Sequence, residues 1–221
     1  MRKGLVAVGA VVVLLVGAAG ADRAAAGAAE RAITDAVRQE VAGARDVTAQ
    51  VHGIPLLTQV AAGSLDHVTV TMSGVSPSEG VTLDDVVVDL RGVTTSEPRT
   101  ADVVDARALV PTSTLQAKLG TAWTVVPEGP LLLVTSASLP VEVRVTPVVQ
   151  DGAVRFDIDT VTLLGIVVQG DSIPQAVTER ITSLVVPTTD LPFDLAVTTV
   201  TVVPDGVTVA ATGTDVPLAT T

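Results

Sequence analysis

Residues 52–75 read HGIPLLTQVAAGSLDHVTVTMSGV, and this stretch decides the fold class. From Asp66 onward it alternates strictly: Val68, Val70 and Met72 fall on one side, Thr69, Thr71 and Ser73 on the other. That period of two is the mark of a strand with one buried and one wet face. Ahead of it lies a knot, Gly53-Ile54-Pro55-Leu56-Leu57, followed by a short segment from Thr58 to Ala62. Apolar residues beside Gly and Pro fit poorly into regular structure. Ile54, Leu56, Leu57 and Val60 are therefore expected on an irregular segment that covers something. It is either a plug over the domain's own core or a flap beside an apolar groove.

The same alternation recurs along the chain. Val86, Val88 and Leu90 oppose Asp85, Val87, Asp89 and Arg91. Val141, Val143 and Val145 alternate with Glu142, Arg144 and Thr146, and Val154, Phe156 and Ile158 with Arg155, Asp157 and Asp159. Further strands are expected at 47–52, 103–110, 121–126, 131–135, 193–203 and 207–212. Turns are expected at 76–80, at Asp151-Gly152 and at Pro204-Asp205-Gly206. Three segments read as helices. Asp22 to Val41 carries Ala26, Ala29, Ile33, Ala36, Val37 and Val41 near one face. A short helix starts at Pro111 or Thr112 and stops before Gly120, and another runs from Pro174 to about Leu184. The tail from Thr214 is expected to fray. The reading is one α+β domain over residues 22–221, an antiparallel sheet with helices on one side.

Composition narrows the function. Hydrophobic residues make up 48% of the 221, yet aromatics only 1%, so the apolar surface is mostly Val, Ala and Leu. β-Branched residues suit strands. Scarce aromatics and a formal net charge of −11 argue against nucleic acid, which favours stacking rings and a basic surface. The chain has no cysteine, which removes disulfides, thiol catalysis and Cys-ligated metal. Met1-Arg2-Lys3, an uncharged apolar run from Gly4 to Ala21 and the small-residue end Ala19-Gly20-Ala21 read as an export signal. The alternative is an uncleaved anchor through residues 4–21. Either way the remainder is expected outside the cytoplasmic membrane, in the periplasm or cell envelope.

Catalytic signals are weak. His52 and His67 have no partnered ligand pattern. Asp84, Asp85 and Asp89, and the pair Asp157 and Asp159, lack the spacing of a calcium loop and read as solvated strand faces. No nucleophile elbow, phosphate loop or zinc-protease motif is present. No cofactor is expected, and Trp123 reads as a core or rim residue.

The order of several short motifs resembles the LmeA-like phospholipid-binding family of actinobacterial envelope proteins. Those motifs are the run Gly53 to Gln59, then Leu90-Arg91-Gly92-Val93, Leu191-Pro192-Phe193, Pro204-Asp205-Gly206-Val207 and Gly213-Thr214-Asp215-Val216. The resemblance implies a curved antiparallel sheet wrapped around a long N-terminal helix, with two further short helices, like tubular lipid-binding proteins. It implies a hydrophobic cavity for phospholipid and no catalytic residues. Where that family often has Phe in the knot, this chain has Ile54 and Leu56. On this reading Ile33 and Val37 of the helix, Ile54, Leu56, Leu57 and Val60 of the knot, and Val68, Val70 and Met72 of the strand are the expected lipid contacts. Phospholipid and a membrane surface are the expected partners. The net negative charge works against docking on anionic lipid unless arginines cluster locally. The competing expectation is a structural or protein-interaction module of the envelope whose core is closed.

Overall fold

The computed structural model describes residues 22–41, 43–53, 55–78, 81–96, 98, 100–150, 153–168, 173, 175–182, 186–187 and 195–218. The expected export segment, Ile54, the turn Asp151-Gly152 and the Leu191-Pro192-Phe193 motif lie outside them. No helix among the described residues is long and apolar enough to cross a membrane.

The protein is mostly antiparallel β-sheet with few helices. In chain order the elements are α1 (Asp22–Glu40), β1 (Arg45–His52), α2 (Leu56–Ala62), β2 (Ser64–Ser73), β3 (Val75–Ser78), β4 (Val81–Thr94) and β5 (Thr100–Pro111). They continue with α3 (Thr112–Leu119), β6 (Trp123–Glu128), β7 (Leu131–Ser136), β8 (Val141–Gln150), β9 (Ala153–Leu163) and β10 (Ile166–Val168). The last are α4 (Gln175–Thr182), β11 (Val186–Pro187), β12 (Ala196–Val203) and β13 (Gly206–Pro217). The strands divide between two sheets where the sequence reading has one. One sheet is ordered β1-β2-β4-β5-β13-β12, with β3 added onto β4; the other is ordered β10-β9-β8-β7-β6, with β11 added onto β9.

Contacts group the chain into two compact units. The first comprises the described residues of Met1–Ala108, Leu191–Ala196 and Ala211–Thr221. Its core is one aliphatic cluster. Alternation along β2 and β4 aims Val68, Val70, Met72, Val86, Val88 and Leu90 the same way, because β2 and β4 pair in register Val68↔Leu90 and Val70↔Val88. Helix α1 adds Ile33 and Val37 to that cluster, four residues and so about one turn apart, and Val41 just past its end joins them. Alanine-rich sequence favours the helix. It ends where Gly43 adopts a left-handed φ of 78°.

The second unit comprises the described residues of Leu109–Asp190 and Val197–Ala210. Val141, Val143 and Val145 of β8 are buried, as are Leu132 and Val134 of β7 and Val154, Phe156 and Val161 of β9. Val177 and Ile181 of α4, four residues apart, are buried too, and α4 packs on β9.

Three local expectations are corrected. The knot does not stay irregular: α2 begins at Leu56, directly after Pro55, whose ring fixes φ but does not obstruct a helix that starts beyond it. Of the turn expected at 76–80, residues 76–78 are strand instead, since Val75–Ser78 pairs with β4, and residues 79–80 lie outside the described residues. The tail beyond Thr214 is not frayed up to Leu218. Strand β13 runs to Pro217, and Val216 and Leu218 are buried in the first unit's core cluster, an apolar anchor that holds the segment down.

Candidate functional site

The expected lipid contacts converge in part. Ile33, Val37, Leu56, Val68, Val70 and Met72 belong to one buried cluster, each 6% exposed or less. Val60 is half-buried and packs against it. Leu57 points outward at 42% exposure. The layer between α1 and the sheet is thus lined by aliphatic side chains.

The knot's motif residues have identifiable work. Gln59 is buried, and its side chain bridges two backbone segments. Its Nε2 donates to the carbonyl of His52 at 3.3 Å, and its Oε1 accepts from the Asp66 amide at 2.8 Å. The end of β1 and the start of β2 are joined through that one amide. Gly53 makes room for it: φ is 95°, and a Cβ there would come within 2.3 Å of Gln59 Nε2. Gly92 of the Leu90-Arg91-Gly92-Val93 element is similarly required. Its φ is 62°, and a Cβ would lie 2.0 Å from the carboxylate of Asp102 on β5.

Beside the aliphatic layer, α1 and β1 border an open groove of about 450 Å³. Glu30, Arg31, Thr34, Asp35 and Arg38 line it from the helix, Val47, Thr48 and Ala49 from the strand. Arg38 is 3.7 Å from Asp35 and reaches the Val47 carbonyl at 3.4 Å. Arg31 Nε donates to the Gly27 carbonyl at 2.9 Å, and Glu30 accepts from the Val51 amide at 3.3 Å. Both signs of charge therefore stand next to a hydrocarbon layer. The sequence reading gave these four charged residues no role. The available signal was their spacing: Arg31, Asp35 and Arg38 follow one another by four and three, one stripe flanking the apolar one.

The two histidines come together, which neither position announces alone. The β1–β2 register sets His52 opposite His67, and their rings stack with centroids 4.4 Å apart. His67 Nε2 donates to Asp89 at 2.8 Å, and the Thr69 hydroxyl donates to the same oxygen at 2.7 Å. His52 Nε2 lies 3.0 Å from that hydroxyl. Burial pushes the Asp89 carboxyl upward, but the hydrogen bonds from Thr69 and His67 and the nearby positive charge outweigh it, leaving the group below its ordinary 3.8. The cluster sits on the sheet face opposite the core. No group of three or more potential metal ligands occurs among the described residues.

Two of the remaining acidic residues, Asp84 and Asp159, have local partners. Asp84 accepts from the Gly74 amide at 2.9 Å, and Asp85 has a left-handed φ of 47°. Asp157 and Asp159 are exposed on β9, and Asp159 accepts from Thr146 of the neighbouring strand. Trp123 is half-buried at the start of β6.

A family model described as LmeA-like phospholipid-binding matches residues 20–212. The chain belongs to that family. The match takes in both units, so the LmeA-like segment includes the α1–sheet layer, the knot and the second sheet. No curated protein and no solved structure matches the chain.

Proposed function

We propose that this LmeA-like chain is an exported phospholipid-binding protein of the cell envelope, acting by burial and not by catalysis. The observation that carries the reading is the family match over residues 20–212. Export rests on the basic start, apolar run and small-residue end of residues 1–21.

In this proposal the acyl chain enters between α1 and the sheet, against Ile33, Val37, Leu56, Val68, Val70 and Met72. Helix α1 grips the sheet by one buried side chain per turn, a narrow seam that an acyl chain can replace. A 16-carbon tail taken from water offers roughly 10 kcal/mol before ordering costs, enough to offset the lost packing of such a seam. A sheet closing around α1 as a tube is the geometry that suits this role. The groove flanked by Arg31, Arg38, Glu30 and Asp35 supplies cations for a phosphate and carboxylates for an amine, the two charges of a zwitterionic headgroup.

Native mass spectrometry after incubation with phosphatidylethanolamine vesicles tests the reading. Discrete phospholipid adducts are expected. Arg31→Ala combined with Arg38→Ala should lower their yield about tenfold, in line with the loss of one charge-assisted contact. Absence of adducts on the wild-type protein would sink the proposal.

The second reading is a non-enzymatic envelope module with a closed core. The full burial of Ile33, Val37, Val68 and Val70 favours it. Displacement of a fluorescent fatty acid separates the two, because a closed core gives no displaceable signal.

A further inference from the structure

The second unit carries an apolar projection that the aliphatic layer does not explain. Strands β9 and β10 form a hairpin whose turn is Leu164-Gly165. Leu164 is 73% exposed, Ile166 67% and Val167 57%, the largest values among the exposed large hydrophobic side chains described. Leu139, 49% exposed, joins them, because the Leu164 amide donates to the Pro140 carbonyl at 3.0 Å.

The geometry of exposure restricts what could cover this tip. Ile166 and Val167 are adjacent on a strand, so their side chains point to opposite faces of the hairpin. Both are exposed, and Leu164 extends from the end. A partner protein seated on one face would leave the other wet. A fluid apolar layer surrounds a projecting tip from every side. Charge agrees with this. Residues 129–141 contain no charged side chain, nor do residues 160–170, and the register Val141↔Leu163 brings the ends of these two stretches together. In a chain of net charge −11, this end of the sheet can enter a lipid headgroup region without desolvating an ion.

We propose that the tip formed by Leu139, Leu164, Ile166 and Val167 inserts into the interfacial layer of a lipid bilayer of low surface charge. The proposal deepens the lipid-binding reading and rests on it, for it names where such a protein meets its membrane. The acidic body is repelled by anionic surfaces, so docking on zwitterionic lipid is the stronger at low salt. That difference narrows as added salt shortens the screening length.

The test is flotation with phosphatidylcholine vesicles. Wild-type protein should float. A variant combining Leu164→Ser, Ile166→Ser and Val167→Ser should show a partition coefficient at least tenfold lower. Val126→Ser, an exposed control on β6, should leave it unchanged. Equal flotation of wild type and the triple variant would overturn the proposal. So would a wild-type dimer that becomes monomeric in the triple variant without change in vesicle binding, since the tip would then seat a second copy. Lipid adducts measured on the same samples keep the two readings apart. Adducts retained by a triple variant that no longer floats support the tip. Adducts on a wild type that does not float leave lipid binding standing and remove the tip. Because the chain lacks cysteine, Leu164→Cys labelled with an environment-sensitive dye gives a second readout at a solvent-exposed position. A blue shift on adding phosphatidylcholine vesicles is expected, and an unchanged spectrum counts against insertion.

Discussion

Two short helices, α2 in the first unit and α3 in the second, solve the same problem with different thoroughness. Each follows a proline, Pro55 or Pro111, in an extended conformation, each is stopped by a glycine, and neither has a side-chain cap at its start. In both, a glutamine ties the helix to neighbouring strand backbone. Gln59 reaches the strand before the helix and the strand after it. Gln116 reaches only onward: it accepts from the Val125 amide at 3.1 Å and donates to the Trp123 carbonyl and, at 3.3 Å, to Gly120. Gln59 is buried and Gln116 half-buried. Helices of seven and eight residues are too short to hold themselves, so buried side chains such as Leu56 and Leu115, with the glutamine's hydrogen bonds, place them. Where the glutamine is buried, water cannot replace it.

The comparison orders its own tests. Gln59→Ala should have the largest effect, about 1–3 kcal/mol in denaturant unfolding, because it removes a buried side chain and leaves a part-buried amide and carbonyl without their partner. A loss below half a kcal/mol would show that solvent reaches those groups. Gln116→Ala should cost less, about 1 kcal/mol, since water can take over its bonds at a half-exposed site. Should its cost equal or exceed that of Gln59→Ala, burial is not what separates the two.

The smallest effect concerns pH and only the first unit, whose staple ends on His52 beside the Thr69–Asp89 cluster. The folded protein holds Asp89 below its ordinary 3.8, so its contribution is complete above that value. It fades as pH falls from 3.8 through the lower folded value. Melting temperatures followed from pH 5 to pH 2 should drop less steeply for Asp89→Asn than for wild type. Parallel curves would mean that other carboxylates carry the acid sensitivity.

Much of the fold was legible because burial repeats with the period of the backbone. Val68, Val70 and Met72, Val86, Val88 and Leu90, and Val141, Val143 and Val145 all point inward as their alternation predicts. The spacing of Ile33 and Val37 likewise revealed the buried seam of α1. What stayed hidden was set by pairing between distant residues. The stack of His52 on His67 depends on the β1–β2 register, and the stapling by Gln59 and Gln116 on where the next strand begins. The hairpin tip escaped for another reason. From Val161 to Val168 apolar residues occupy both parities, so periodicity could not separate the buried Val161 from the exposed Leu164, Ile166 and Val167. The division into two sheets was equally invisible, since alternation marks a strand's faces and not its neighbours.

The position of β13 has a consequence for how the molecule comes to be made. This strand lies inside its sheet, between β5 and β12, and Thr212 donates to Asp105 across 107 residues of chain at 2.9 Å. Until those late residues emerge from synthesis, β5 is left with one unpaired flank. Closing so long a loop is slow compared with forming the hairpins upstream. The nascent polypeptide therefore stays short of its final form until β13 is available. For a chain proposed to be exported, such a delay would leave time for passage before the fold closes.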